Sequence, residues 1–118
     1  MTPLNSDLMS GIDRPQQSVA KTAAEFQTLW QRHAPGRPAP AVDFTKNMVL
    51  AVFLGSRPTG GYAVEITGVS SQGDATIVRW AERAPGPGQM ASQVITAPAF
   101  MAIVARRDGP VRFEKQEP

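Results

Sequence analysis

The sequence predicts a mainly β (α+β) fold, a small antiparallel β-sandwich or partial barrel with one N-terminal helix packed on it. Three observations support this class. Apolar and β-branched runs follow one another from residue 47 onward, only one segment shows helical periodicity, and 11 prolines and 10 glycines interrupt the 118-residue chain. Such a chain is long enough to bury one core but leaves little room for a deep catalytic cavity.

The beginning of the chain carries no structural pattern. Residues 1–17 are polar, lack a hydrophobic period and contain Gly11 and Pro15. Segments with so few apolar residues rarely bury enough surface to order themselves. We therefore predict a flexible N-terminal arm over residues 1–17 and a single β-rich domain over residues 18–118.

A single helix is predicted after this arm. Thr22 and Glu25 have the spacing of a reciprocal capping box, in which Thr22 accepts from the Glu25 amide and Glu25 reaches back to the Thr22 amide. One apolar stripe follows at helical spacing, formed by Phe26, Leu29, Trp30 and His33. Pro35 and Gly36 end the helix.

Six later segments have the composition of strands: residues 47–54, 62–69, 75–83, 93–96, 99–106 and 111–115. The first, NMVLAVFL, is apolar throughout and is typical of a strand buried on both faces. The second, YAVEITGV, alternates and directs Val64 and Ile66 to one side. Residues 70–74 predict a turn, and the Pro- and Gly-rich residues 84–92 predict a loop.

Charge and composition exclude several classes of partner. The net charge is only +2, and the one basic doublet, Arg106-Arg107, is followed at once by Asp108, so we expect no nucleic-acid partner. No apolar run approaches the ~20 residues that cross a bilayer, so we expect no membrane insertion. The chain begins without the pattern of a signal peptide, which leaves two compartments open: the cytoplasm, or the cell envelope after removal of a leader.

Catalytic and metal-binding patterns are sparse. The chain has no cysteine, and its only histidine, His33, lies on the apolar stripe of the helix, where packing explains it. No G-x-S-x-G motif occurs. Three acids are candidates for hydrolase carboxylates, Asp43, Glu65 and Glu82, but the last two fall on the solvent-facing side of alternating strands. We expect neither enzymatic activity nor a metal or other cofactor.

The segment GSRPTGGY, residues 55–62, is the strongest local signal. Gly55 and Gly60 have Walker-loop spacing, but Gly61 and Tyr62 occupy the places of the required lysine and hydroxyl, and a strand follows instead of a helix. Two interpretations remain open. The segment is either the turn of a hairpin between two central strands or a loop displayed to a partner.

The second interpretation names six protein-binding residues: Arg57, Pro58, Thr59, Gly60, Gly61 and Tyr62. In this view Arg57 offers charge and donors, Pro58 limits the entropy lost on binding, and Tyr62 anchors the partner. It predicts that replacing Arg57 and Tyr62 together by alanine weakens binding and leaves thermal stability nearly unchanged.

The stretch DFTKNMVLAVFLGSRPTGGYAVEI, residues 43–66, resembles the PrcB family of protease-complex subunits. The likeness continues in Leu29-Trp30, in the PGPG of residues 85–88 and in the TAP of residues 96–98, and so spans roughly residues 19–113. The resemblance implies a non-catalytic, extracytoplasmic binding or assembly module. Its partner would be a protein, and a protease in particular.

An alternative likeness is to chagasin-type inhibitors of cysteine proteases, which are sandwiches that present three loops to an enzyme cleft. The corresponding segments here are residues 57–62, 85–90 and 106–110, in the same order along the chain. Loops at one end of a sandwich can form such a wedge. This interpretation therefore requires all three loops to lie at one end.

Overall fold

The computed structural model describes residues 1–117, which form seven strands and one helix. The elements are β1 (Thr2–Asp7), β2 (Gln16–Ala20), α1 (Ala23–His33), β3 (Asn47–Phe53), β4 (Ala63–Gln72), β5 (Ala75–Arg83), β6 (Ala99–Ala105) and β7 (Val111–Gln116). Four strands form one sheet in the order β1-β6-β3-β2, and three form a second in the order β4-β5-β7. The mainly β class with one helix is confirmed, as two sheets and not as a closed barrel. All pairs are antiparallel except β5 with β7.

Strand β3 is at the centre of the core because both of its faces are covered. Val49, Ala51 and Phe53 face α1, while the alternate residues, such as Leu50 and Val52, face the three-stranded sheet. The molecule therefore has three layers, with α1 on one face of the larger sheet and the smaller sheet on the other. Burial of each large apolar side chain contributes about 1.5–3 kcal/mol, so β3 is a major source of stability.

The helix begins and ends close to where the sequence predicts. Thr22 Oγ1 accepts from the Glu25 amide at 3.1 Å, but the Glu25 carboxylate accepts from the Lys21 amide at 2.8 Å, one residue before the expected Thr22 amide. The predicted stripe is confirmed, since all four of its side chains are buried. No helix within residues 1–117 has both the length and the apolar character to span a membrane.

The start of the chain differs from the flexible arm predicted over residues 1–17. Residues 2–7 form β1, which pairs with β6, and residues 16–17 already belong to β2. Leu4 packs on the core beneath α1. Backbone hydrogen bonds to β6 account for most of the contact that holds β1 in place. Such bonds leave no hydrophobic pattern in the sequence, so the sequence does not predict this strand.

Two further predictions, a strand over residues 93–96 and a turn over residues 70–74, also need correction. Residues 93–96 are not a strand; within them only Thr96 forms a bridge, with Arg57. β-Branched residues favour a strand, but a strand also needs a neighbouring segment with which to form a hydrogen-bonded ladder. Strand β4 extends to Gln72, so the turn predicted over residues 70–74 reduces to Gly73 and Asp74.

Candidate protein-binding site

The segment 55–62 connects the two sheets. It follows β3, which pairs only with β2 and β6, and it leads into β4, which pairs with β5. The hairpin-turn interpretation is therefore wrong, because the strands on either side of the segment are not hydrogen-bonded to each other. Its proline and three glycines lie in a connection that crosses from one sheet to the other.

The first residue of this loop is fixed against the chain that precedes β2. Gly55 adopts a φ of 81°, which favours glycine, and a Cβ there would lie 2.8 Å from the ring nitrogen of Pro15. The next amide, that of Ser56, donates to the Asp13 carbonyl at 3.0 Å. The loop therefore leaves β3 in one defined direction.

The guanidinium of Arg57 is engaged inside the molecule. Its Nε and one terminal nitrogen donate to the two carboxylate oxygens of Glu82, at 2.9 and 3.1 Å. The other terminal nitrogen donates to the carbonyls of Leu54 and Ser56, at 3.0 and 3.1 Å. The planar fork of arginine makes this two-oxygen contact specific. Arg57 thus holds the base of the loop and does not display its donors to a partner.

Glu82 is a residue of this site whose structural role the sequence did not reveal. It accepts from Arg57 and also from Lys115 Nζ at 3.3 Å, and is mostly buried. The hydrogen bonds from Arg57 lower the pKa of Glu82 below its ordinary value, and those to Glu82 raise the pKa of Arg57. The alternation of residues along β5 suggests that Glu82 faces solvent. No sequence pattern reveals that its partner, Arg57, lies 25 residues earlier in the chain.

A second segment lies along the loop and fixes its middle. The backbones of Arg57 and Thr96 exchange two hydrogen bonds, at 2.7 and 2.9 Å, and the Gly60 amide donates to the Ser92 carbonyl at 2.9 Å. The Thr96 hydroxyl donates to the Thr59 carbonyl at 3.0 Å. The loop is consequently ordered before any partner arrives.

The six predicted residues divide into supporting and exposed ones. Pro58 and Gly61 are exposed, whereas Thr59 and Gly60 are half-buried against the neighbouring segment. Tyr62 is half-buried, with the Arg57 guanidinium 5.8 Å from its ring centroid, a cation–π contact. Pro58 and Gly61 are therefore the most exposed of the six residues, and the other four, Tyr62 included, are partly exposed.

Four large apolar side chains are exposed on segments that Thr96 and Ala97 connect to this loop through backbone hydrogen bonds: Leu8 at 53%, Met9 at 61%, Val94 at 53% and Ile95 at 66%. The two segments that carry them are hydrogen-bonded neighbours, because the Ala97 amide donates to the Leu8 carbonyl at 2.8 Å. We call Leu8, Met9, Pro58, Tyr62, Val94 and Ile95 together the loop surface. The sequence did not reveal it, since residues 8–9 lay in the predicted arm and residues 94–95 in a predicted strand.

One comparison with known proteins gives a match. Residues 48–105 match the family model described as PrcB C-terminal. Residues 48–105 are a PrcB C-terminal domain. The match includes the loop 55–62 and residues 92–96 but is shorter than the span 19–113 over which the sequence resembles the family. No curated protein and no solved structure is significantly similar to the chain.

The chain does not gather the three loops that the inhibitor alternative requires. The loops 57–62 and 85–90 lie together, since a Cβ on Gly61 would approach Pro85 at 3.0 Å. Residues 106–110 lie at the opposite end, where a Cβ on Gly109 would contact the carbonyl of Asp74 in the β4–β5 turn. The antiparallel pairing of β6 with β3 forces this separation. The described residues therefore do not form the three-loop wedge.

His33 is enclosed by the fold and has hydrogen-bond partners within it. Its side chain is 0% exposed, with Nδ1 2.8 Å from Ser10 Oγ and Nε2 2.9 Å from Asn5 Oδ1. Burial lowers the pKa of His33. Asp7 lines the same shallow surface pocket but pairs with Arg37. Within residues 1–117 no group of three or more histidine, aspartate and glutamate side chains could hold a metal ion.

Proposed function

We propose that this chain is a non-catalytic protein-binding module, an accessory subunit of a protease complex, that contacts its partner through the loop surface. The family match supports the association with a protease complex. The observation that carries the choice of surface is the exposure of Leu8, Met9, Val94 and Ile95 on segments that are hydrogen-bonded, through Thr96 and Ala97, to the ordered loop. Several large apolar side chains exposed in one region of a small protein often mark an interaction site.

The order of the loop favours binding. Arg57 fixes the base of the loop and Thr96 fixes its middle, so little conformational entropy is lost when a partner docks. Tyr62 and Ile95 then offer rigid apolar area of the kind that dominates interface energetics. Arg57 has a supporting role in this proposal and is no longer one of the contact residues.

The non-catalytic part of the proposal rests on the engagement of the reactive groups. Both ring nitrogens of His33 are within hydrogen-bond distance of Ser10 or Asn5, and the nearby Asp7 carboxylate pairs with Arg37. A general base needs an accessible nitrogen within reach of the substrate proton. The chemistry of the complex would then belong to the partner.

Site-specific photo-crosslinking tests the surface directly. A benzoylphenylalanine replaces Pro58 or Ile95 in the source cells, and the control carries it at Gln27, an exposed residue of α1. We expect positions 58 and 95 to capture the same protease subunit and position 27 to capture none of it. Equal capture from position 27, or no protease from either loop position, would contradict the proposal.

A further inference from the structure

The two sheets have four edge strands, and three of them carry features that discourage pairing with another chain. Strand β1 contains Pro3, which lacks an amide hydrogen, and a bulge beside it. Strand β4 has an irregular register next to Gly68. Strand β7 bears Arg112 and Lys115. Proline, bulges and charged side chains are the usual means of protecting an edge.

The fourth edge strand, β2, lacks these features. Residues 16–20, QQSVA, contain neither proline nor charge and pair with β3 in an unbroken antiparallel register. No hydrogen bond described for residues 1–117 reaches the backbone of residues 16–20 from outside that ladder. In an antiparallel pair, alternate residues direct their N–H and C=O groups away from the partner. Strand β2 thus presents an unpaired row of donors and acceptors.

The helix α1 turns this edge into a groove. A groove of about 470 Å³ lies between β2 and α1, and Ser18, Ala24 and Thr28 are among the residues that line it. These side chains are small, so they leave room for a chain at the ~4.8 Å spacing of a neighbouring strand. One wall therefore offers backbone hydrogen bonds, and the other offers contacts for the side chains of a bound segment.

The two ends of the groove carry opposite charges. Arg32 lies at the Gln16 end, where its guanidinium is 3.4 Å from the Gln16 side-chain oxygen. Glu25 lies at the other end, next to the Lys21 amide. An extended segment with an acidic residue at the Arg32 end and a basic residue at the Glu25 end would match this distribution.

We propose that β2 and α1 form a docking site for an extended peptide segment of a partner protein, which joins the four-stranded sheet as a fifth strand. Addition of a strand to an open edge beside a helix is an established mode of peptide recognition. The site shares no residue with the loop surface, so it is a second interaction surface and stands independently of the proposed function.

Peptide selection tests this proposal. A random dodecapeptide phage library is selected on the full chain, and the enriched sequence is synthesised. We expect Thr28→Arg, which fills the groove, to weaken its binding at least tenfold. Gln31→Arg adds the same charge at an exposed position of α1 outside the groove and should leave binding unchanged. Ala24→Arg repeats the test if circular dichroism shows that Thr28→Arg does not fold.

N-methylation of the peptide tests the backbone pairing without altering the protein. Only alternate residues of an added strand donate to β2. Methylation of one alternate set of amides should therefore abolish binding, and methylation of the other set should leave it within about threefold. The proposal is overturned if no peptide is enriched, if Thr28→Arg and Gln31→Arg bind the peptide equally, or if the two methylated sets behave alike.

Discussion

Arg57 shows how the surroundings of a single residue can differ from those that the sequence suggests. The sequence marks it as a cation at the tip of a loop, but its donors are directed to Glu82 and to two carbonyls of its own loop. The pair Arg57–Glu82 is 23% and 16% exposed. At such low exposure the hydrogen bonds contribute to stability, because removal of one partner leaves the other poorly solvated.

We therefore predict that Arg57→Ala lowers the free energy of unfolding by about 2 kcal/mol, in contrast to the nearly neutral effect that the sequence suggests. Urea denaturation measures this. The matched control is Arg83→Ala, since Arg83 and Glu65 form an ion pair at 3.5 Å that is 75% and 53% exposed. The control should change stability by less than about 0.5 kcal/mol. Equal effects of the two substitutions would show that the loop does not depend on Arg57.

His33 leads to a prediction about pH. Burial lowers its pKa in the folded chain, so below the ordinary value of 6.5 the unfolded chain binds the proton more readily. Stability is then fully present above pH 6.5 and falls as the pH drops below it. Between pH 6.5 and 5.5 the free energy of unfolding should fall by up to about 1 kcal/mol.

The variant His33→Gln isolates this effect. Its stability is lower at every pH, because a buried side chain with two hydrogen-bond partners is replaced. Its slope between pH 6.5 and 5.5 should nevertheless be close to zero, since histidine is the side chain that ordinarily titrates there and the chain has one. A wild-type slope that survives in His33→Gln would exclude His33 as its source.

At the scale of elements, the sequence predicts best what hydrophobic periodicity controls. Helix α1 and strand β3 were predicted nearly to the residue, because one stripe and one continuous apolar run determine them. Strand β1 was missed because backbone pairing holds it. The pairing of β3 and β4 was predicted wrongly, since a glycine-rich connection looks alike in a hairpin and in a crossing between sheets.

Gly55 tests the crossing between sheets. Its φ of 81°, together with the 2.8 Å that would separate an added Cβ from Pro15, predicts that Gly55→Ala lowers the free energy of unfolding by about 2–3 kcal/mol. Gly68→Ala is the control, because no atom lies within 4 Å of its added Cβ and its φ is not positive. That control should be neutral or stabilise by about 0.5 kcal/mol. Thermal denaturation of both variants measures the two effects. An unchanged melting temperature in Gly55→Ala would contradict the described path of the loop.

At the scale of the whole molecule, the first strand links the helix to the larger sheet. Asn5 contacts His33, Asp7 pairs with Arg37, and Leu4 joins the core beneath α1. We predict that deletion of residues 1–7 lowers the free energy of unfolding by about 3 kcal/mol or more, a large part of the total for a domain of this size. Calorimetry of the truncated chain measures this loss. A melting temperature within a degree of the wild type would contradict it and support the flexible arm that the sequence predicts.

The candidate site could be predicted only in part from the sequence. The segment 55–62 was found because proline and glycine are concentrated there, but its exposed partners, Val94 and Ile95, lie some 35 residues further along the chain. Their proximity arises from the bridge between Arg57 and Thr96, and such a contact depends on tertiary structure. The same reason explains why the edge of β2 and its groove had no signal in the sequence.

The affinity for the captured protease subunit tests the central claim most directly. The variant Val94→Ser with Ile95→Ser removes two exposed apolar side chains, and its stability should stay within about 1 kcal/mol of wild type. Calorimetric titration should show at least a tenfold loss of affinity, which corresponds to about 1.4 kcal/mol. The control Gln27→Ser with Gln31→Ser, on the exposed side of α1, should bind like the wild type. Equal affinities for all three proteins would contradict the assignment of the loop surface.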